Sequence, residues 1–156
     1  LPANGIIQGM RPLIGYNYGA REHKRVLKIY HTGLMLVAAI MAFGTALCWT
    51  IPGTLMGLFT VQDSTIRTGI QALHIISIGY LLSTISVITC GTLEALGKGL
   101  PSLIVSLCRY VILILPLAFL LSHFLGVAGV WHAFWLTETI TATISLFLYQ
   151  NGIKKA

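Results

Sequence analysis

Three ionisable side chains lie in stretches that are otherwise almost entirely apolar, and they are the first candidates for chemistry in this sequence. Glu138 is in the middle of an apolar run from 127 to 149, Arg109 lies in a run from 103 to 122, and Arg11 lies near the start of the chain. If these runs cross a membrane, each charge costs at least about 2.5 kcal/mol near the bilayer centre. Such residues therefore face a protein interior or a cavity, and they are functional candidates.

Glu138 shares one helical face with polar and aromatic residues, while an apolar stripe runs along the other side of the same run. The shared face carries Trp131, Phe134, Trp135, Thr141 and Ser145, and the apolar stripe carries Ile140, Ile144 and Phe147. Burial disfavours the charged form of a carboxyl group. Two roles stay open for Glu138: a proton carrier or partner of a cation, and a protonated group that is hydrogen-bonded to a neighbouring helix.

The two arginines have different expected roles. Arg109 is seven residues into its run, and we expect its long side chain to reach toward the interface. Arg11 follows Gln8 and precedes Pro12, where we expect an irregular helix; it either lines a cavity or pairs with an acid. Pro116 predicts a kink in the run that contains Arg109.

The composition indicates the elements that position these residues. The chain has 156 residues, of which 56% are hydrophobic and only 9% charged, and its mean hydropathy is +0.84. Soluble domains carry about 25% charged residues, so this chain has too few for a solvated surface. The sequence predicts an all-α, polytopic membrane protein. No basic motif interleaved with aromatics suggests nucleic-acid binding.

Four stretches have the roughly 20 apolar residues that a membrane-spanning helix needs. They are 29–51, 70–93, 103–122 and 127–149, and residues 1–20 are expected to be the end of a fifth span. The span 70–93 also carries hydroxyl groups suited to interhelical hydrogen bonds or to a hydrated face. These are Ser77, Tyr80, Ser83, Thr84, Ser86 and Thr89.

The basic residues outside the spans are distributed unevenly between the two sides of the membrane. If the linkers alternate, seven fall on one side and only Arg67 on the other. The seven are Arg21, Lys24, Arg25, Lys28, Lys98, Lys154 and Lys155. Since positive residues favour the cytoplasmic side, the segment from 15 to 28 and the C-terminus are predicted to be cytoplasmic.

The sequence offers no catalytic constellation. Its five histidines make no HxxxH or HExxH pattern, Gly97–Gly99 is not part of a P-loop, and there is no GxSxG motif. Cys48, Cys90 and Cys108 have no CxxC spacing and lie in apolar runs. We expect neither an enzyme nor a bound cofactor or metal.

The segment "QGMRPLIGYNYGAREHKRV", which begins at Gln8, resembles the end of the eighth helix of bacterial MATE (multidrug and toxic compound extrusion) transporters. That family usually has Gln-Pro where this chain has Arg11-Pro12. "GTLEALGKGLPS" is similar to the family's turn between helices ten and eleven. "GVAGVWHAFWLTETITA" is similar to the start of helix twelve, with Glu138 as its acid. The resemblance covers the whole chain.

The resemblance implies a twelve-helix transporter with two six-helix lobes around a central cavity. Residues 1–156 would be a C-terminal fragment that supplies most of the second lobe, from the end of helix eight to helix twelve. Its implied activity is the export of drugs or other amphipathic or cationic compounds across the cytoplasmic membrane, in exchange for H⁺ or Na⁺. The expected partners are these small molecules, the lipid bilayer and the missing N-terminal lobe, and nucleic acid is not among them.

Eight residues are the candidates for the substrate or ion cavity: Glu138, Trp131, Trp135, Thr141, Tyr80, Ser83, Gln8 and Arg11. Sodium-coupled relatives carry an acid in the middle of helix ten, but "GYLLSTIS" in this chain has none, so a sodium site of that type is not expected. Three alternatives stay open. They are a flippase for lipid-linked oligosaccharides, which should have several cationic residues in its cavity, a membrane-embedded enzyme and a structural membrane subunit.

Overall fold

The computed structural model describes residues 2–153, and every regular element in this range is a helix. The α-helices are α1 (Pro2–Gly19), α2 (His23–Thr50), α3 (Pro52–Gly57), α4 (Asp63–Ala95), α5 (Gly99–Leu107), α6 (Ile114–Leu125) and α7 (Val127–Leu148). Two further segments, Cys108–Leu113 and Tyr149–Ile153, are wound as π-helix. Lys154 and Lys155, used in the charge count, lie outside the described residues.

Three stretches of the described chain are long and apolar enough to cross a membrane: His23–Thr50, Asp63–Ala95 and Gly99–Leu125. They contain the predicted spans 29–51, 70–93 and 103–122, apart from Ile51. The fourth predicted span coincides with α7, which has 22 residues but falls short of these three stretches in mean hydropathy. Its threonines, together with His132 and Glu138, lower its mean hydropathy.

Helix α4 is the centre of the bundle, because α1, α2, α3, α5 and α7 all pack against it. Of the six hydroxyl-bearing residues predicted for α4, four are buried, and three form hydrogen bonds to other helical segments: Ser77, Ser86 and Thr89. The hydroxyl groups of Tyr30 on α2 and Thr89 on α4 are hydrogen-bonded at 3.0 Å. The indole N–H of Trp49 donates to the hydroxyl of Ser77, also at 3.0 Å. Interhelical bonding, one of the two expected roles, thus applies to these residues.

The apolar core lies where α1, α2 and α4 meet. Helix α1 contributes Ala3, Ile7, Met10 and Ile14, whose spacing of three and four residues forms one helical face. Their partners include Val26, Tyr30 and Val37 of α2, and Ile88, Leu93 and Leu96 near the end of α4. The opposite face of α1 is exposed and carries polar residues, among them Gln8 and Arg11.

Helix α7 buries a stripe of small residues, one in every four positions. The stripe consists of Ala133, Thr137, Thr141 and Ser145, each at most 1% exposed. Small residues let helix backbones approach closely in a membrane, and the most extensive helix contact in the bundle is that between α4 and α7. At Gly79 of α4, an added Cβ would lie 3.3 Å from the Cα of Trp135, so the two helices nearly touch there.

The prolines affect the winding differently from the expectation. Helix α1 continues through Pro12 without interruption, and Gln8, whose carbonyl loses its intrahelical donor, is exposed. The irregularity expected at Pro116 occurs one turn earlier, in the π-helical turn Cys108–Leu113. There the Ile114 N–H donates to the carbonyl of Arg109, five residues back.

Candidate functional site

Arg109 and Glu138 form an ion pair in the interior of the bundle. One guanidinium nitrogen of Arg109, Nη2, donates to the Glu138 carboxylate and also to the hydroxyl of Ser86, at 2.6 Å. The exposed fractions of the Arg109 and Glu138 side chains are 11% and 20%. The prediction that Arg109 reaches toward the interface is therefore wrong, because a carboxylate on the adjacent helix α7 holds it inside. The contact also joins α7 and α4 through the π-helical turn.

A second ion pair joins Arg11 of α1 to Glu94 of α4. Glu94 also accepts a hydrogen bond of 2.7 Å from the hydroxyl of Ser102 on α5. The pair is more exposed than the first, with side-chain fractions of 47% and 39%. Both alternatives predicted for Arg11 are found, since it pairs with an acid and also lines a cavity.

Both arginines line one cavity of about 340 Å³ between α1, α4 and the α5 segment. Its lining residues are Asn4, Ile7, Gln8, Arg11, Ser86, Val87, Cys90, Gly91, Glu94, Val105, Ser106, Arg109 and Tyr110. The volume is at the lower end of the range for small-molecule pockets. With Glu138 paired to Arg109, the two arginines and two glutamates around this cavity sum to zero formal charge.

A second, smaller pocket of about 70 Å³ is lined by Glu138, which is not in the lining of the large cavity. Tyr80 and Ser83 of α4 line it together with Glu138, and Ile76, Gly79 and Phe134 complete its wall. The Ser83 hydroxyl donates to the Tyr80 carbonyl at 2.7 Å. The stretch of α4 that lacks a carboxylate of its own thus has one beside it, supplied by α7.

The other predicted residues lie elsewhere. Trp131 lines a groove of about 370 Å³ with Met56 and residues near the start of α4. Trp135 donates its indole N–H to Nδ1 of His132 at 2.9 Å, and Thr141 is fully buried and donates to the Thr137 carbonyl. The eight candidates therefore divide into three groups: Gln8 and Arg11 at the large cavity, Tyr80, Ser83 and Glu138 at the small pocket, and three outside both.

Sequence reasoning missed Glu94, Ser86 and Arg109 as members of one site. Glu94 marks the end of a predicted span, and no local pattern connects it with Arg11, which is 83 residues away. For Arg109 a signal exists in the turn at Gly126. Arg109 lies 17 residues before this turn and Glu138 lies 12 after it, or about 25 and 18 Å along antiparallel helices. An arginine side chain can span that difference in depth.

The arrangement is suited to binding and conformational change rather than to bond chemistry. It combines a polar cavity, two ion pairs that connect four helical segments, and a small pocket lined by the Glu138 carboxylate. Among residues 2–153, no three His, Cys, Asp or Glu side chains are grouped as metal ligands would be.

The sequence profile of the MatE family matches residues 1–120. The multidrug export protein MepA of Staphylococcus aureus (strain NCTC 8325 / PS 47) is 25% identical over 144 residues, which cover 92% of this chain and 32% of MepA. MepA of Staphylococcus saprophyticus is likewise 25% identical over 144 residues. The chain spans about a third of the length of these curated relatives.

Solved structures match nearly the whole chain. That of the MATE multidrug transporter DinF-BH is 31% identical with a TM-score of 0.88, over 97% of this chain and 34% of that one. An outward-facing MATE family transporter of the MOP superfamily is 20% identical with a TM-score of 0.91, over 99% of this chain and 36% of that one, which shows the shared fold. The resemblance predicted from the segment that begins at Gln8 is confirmed. The chain belongs to the MatE family of multidrug efflux transporters, which are membrane transporters and not enzymes.

Proposed function

We propose that the complete protein is a cation-coupled antiporter that exports drugs or other amphipathic cationic compounds across the cytoplasmic membrane. Residues 1–156 contribute most of its second lobe, with the C-terminus in the cytoplasm, and an N-terminal lobe completes the central cavity. The observation that carries the proposal is the polar cavity with its two arginine–glutamate pairs, inside a fold shared with multidrug transporters.

Two solved conformations support a moving-lobe mechanism. The chain matches the outward-facing and the inward-facing structure of a MATE family transporter with the same TM-score, 0.91. Its fold is therefore common to both states, as expected if each lobe moves largely as one body around a central binding site. We infer that the lobe formed by α1–α7 rocks against the N-terminal lobe.

The balance of charge favours amphipathic cations over a phosphate-bearing lipid as substrate. Arg11 and Arg109 do line one cavity, as a lipid-linked oligosaccharide flippase would need, but Glu94 and Glu138 neutralise them. A polyanionic headgroup would have to displace both carboxylates. An organic cation in this cavity meets the Glu94 carboxylate and the aromatic ring of Tyr110, which both line it.

In this proposal Glu138 binds the coupling ion, a proton or Na⁺, from the side of the small pocket. Carboxylate and hydroxyl oxygens, as found in Glu138, Tyr80 and Ser83, are hard ligands suited to such cations. Arg109 holds the carboxylate when the ion is absent, so that ion and arginine compete for Glu138. Nε of Arg109 is buried and has no hydrogen-bond acceptor among the described residues. The adjacent cavity has room for a water or substrate atom that would accept a hydrogen bond from it.

The test is efflux of a fluorescent organic cation by cells that produce the complete protein. We expect Glu138→Gln to lower efflux about 10- to 100-fold, as for a lost hydrogen bond to a charged group. The double variant Arg109→Gln with Glu138→Gln should stay equally impaired. Glu22→Gln, a change of the same type at an exposed acid outside both cavities, is the matched control and should leave efflux unchanged.

Two results would contradict this role. Unchanged efflux with unchanged pH dependence in Glu138→Gln would remove Glu138 from the mechanism. Recovery of efflux in the double variant would show that Glu138 only neutralises Arg109, which is the expectation for a structural ion pair.

A further inference from the structure

A groove of about 520 Å³ runs between α1 and α2, apart from the cavity described above. Its floor is the point where the helices touch: Met10 is 8% exposed, and an added Cβ at Gly33 would lie 2.1 Å from the Met10 sulfur. Its sides are apolar and open, with Leu13 exposed by 55% and Leu36 by 53%. Gly33 therefore lets α1 approach α2 closely at the floor of the groove.

The mouth of this groove carries two cations. Arg25 and Lys28 line it, both are exposed, and neither forms an ion pair within residues 2–153. They are the third and sixth residues of α2, which begins at His23. The segment from 21 to 28 has four basic residues and one acid, Glu22. The mouth of the groove thus carries an uncompensated positive charge.

The charges and the apolar walls are aligned along a single face of α2. Arg25, Lys28, Ile29, Thr32, Gly33 and Leu36 recur at the three- and four-residue spacing of one helix face. From Lys28 to Leu36 the groove descends about 12 Å at 1.5 Å per residue, which is most of one leaflet of a hydrocarbon core about 30 Å thick.

We propose that this groove is a binding site for an anionic phospholipid of the surrounding membrane. The phosphate lies between Arg25 and Lys28, and an acyl chain lies along Leu13, Ile29 and Leu36. Basic pockets between membrane helices on the cytoplasmic side have the chemistry to bind such headgroups. The lipid contacts α1 and α2 together, so it stabilises the angle at which α1 and its basic turn meet the rest of the lobe.

The test uses the complete protein in detergent, with bound lipid counted by native mass spectrometry during titration with phosphatidylglycerol or phosphatidylcholine. The wild type should bind phosphatidylglycerol in preference to phosphatidylcholine. Each cation at an anionic surface is worth about fivefold in affinity, so Arg25→Gln with Lys28→Gln should weaken phosphatidylglycerol binding about 30-fold. Arg21→Gln with Lys24→Gln removes the same charge from the same segment outside the groove, and should weaken it far less.

A third variant distinguishes lipid binding inside the groove from binding to the basic surface alone. Thr32→Trp fills the groove at an exposed position and keeps both cations, and we expect it to lose the bound lipid as well. The proposal is overturned if both charge pairs weaken binding equally, if Thr32→Trp binds as the wild type does, or if glycerol phosphate without acyl chains displaces the lipid. Absence of any preference for phosphatidylglycerol in the wild type would also overturn it.

Discussion

The buried stripe of α7 predicts different effects of one substitution at two positions that are two residues apart. Thr137 is 1% exposed and belongs to the stripe, whereas Thr139 is on the exposed face of the same helix. Thr137→Leu adds a side-chain atom and moves the branch outward, toward the neighbouring helices. Thr139→Leu makes the same chemical change at a position that is exposed within the described residues.

The magnitudes follow from the packing and the hydrogen bonds at each position. Overpacking a well-filled core costs about 1–3 kcal/mol, and we expect this loss of unfolding free energy for Thr137→Leu. Thr137→Val keeps the volume and removes a buried hydroxyl that has no hydrogen-bond partner within the described residues, so it should stabilise the protein by up to about 1 kcal/mol. Thr139→Leu removes only a hydrogen bond to the Trp135 carbonyl of the same helix, so the free energy of unfolding should change by no more than about 0.5 kcal/mol.

The measurement is reversible unfolding of the complete protein in mixed micelles of mild detergent and dodecyl sulfate, followed by loss of tertiary signal. We expect Thr137→Val to be more stable than the wild type, Thr139→Leu to be close to it and Thr137→Leu to be less stable. Equal stability of the two leucine variants would refute the close packing of α7 in the bundle. Greater loss from Thr137→Val than from Thr137→Leu would show that the hydroxyl, rather than the volume, matters at this position.

Two further predictions concern single contacts, measured by the same unfolding assay. Gly126 joins α6 to α7 with φ +60° and ψ −141°. This conformation strains residues other than glycine, so Gly126→Ala should lower the free energy of unfolding by about 1–3 kcal/mol. Gly99→Ala is the control, because φ is ordinary there and the space is open, and an equal loss in both variants would contradict the strain. Tyr30→Phe should lower the free energy of unfolding by about 0.6 kcal/mol, the average for interhelical hydrogen bonds in membranes, because it removes only the bond to Thr89. An unchanged free energy of unfolding would mean that this bond does not stabilise the bundle.

The positions of the helices could be predicted because hydrocarbon thickness fixes the number of apolar residues that a span needs. What apolar length cannot supply is the rotation of each helix about its axis. That rotation decides whether Arg109 meets Glu138 or the interface, and it results from the packing of α7 on α4. The α7 stripe at four-residue spacing was a usable signal, since it predicts which face is buried and therefore where Glu138 points.

The candidate site was predictable in part for the same reason. Glu138 as an interior acid and Arg11 at a cavity or beside an acid both follow from the cost of charge in lipid. Glu94 could not be assigned, because a charged residue near the end of a span is tolerated there with or without a partner. Thr141 has the polar character of a site residue, yet at 0% exposure it serves packing.

Arg109 links the winding of its helix to the ion pair. Its side chain holds Glu138, while its own carbonyl accepts the bond from Ile114 that defines the π-helical turn. If this turn returned to α-helical winding, the Ile114 N–H would donate to the carbonyl of Tyr110 instead. That shift by one residue would turn α5 by about 100° relative to α6. A change of winding at this turn would therefore also move Arg109 relative to Glu138.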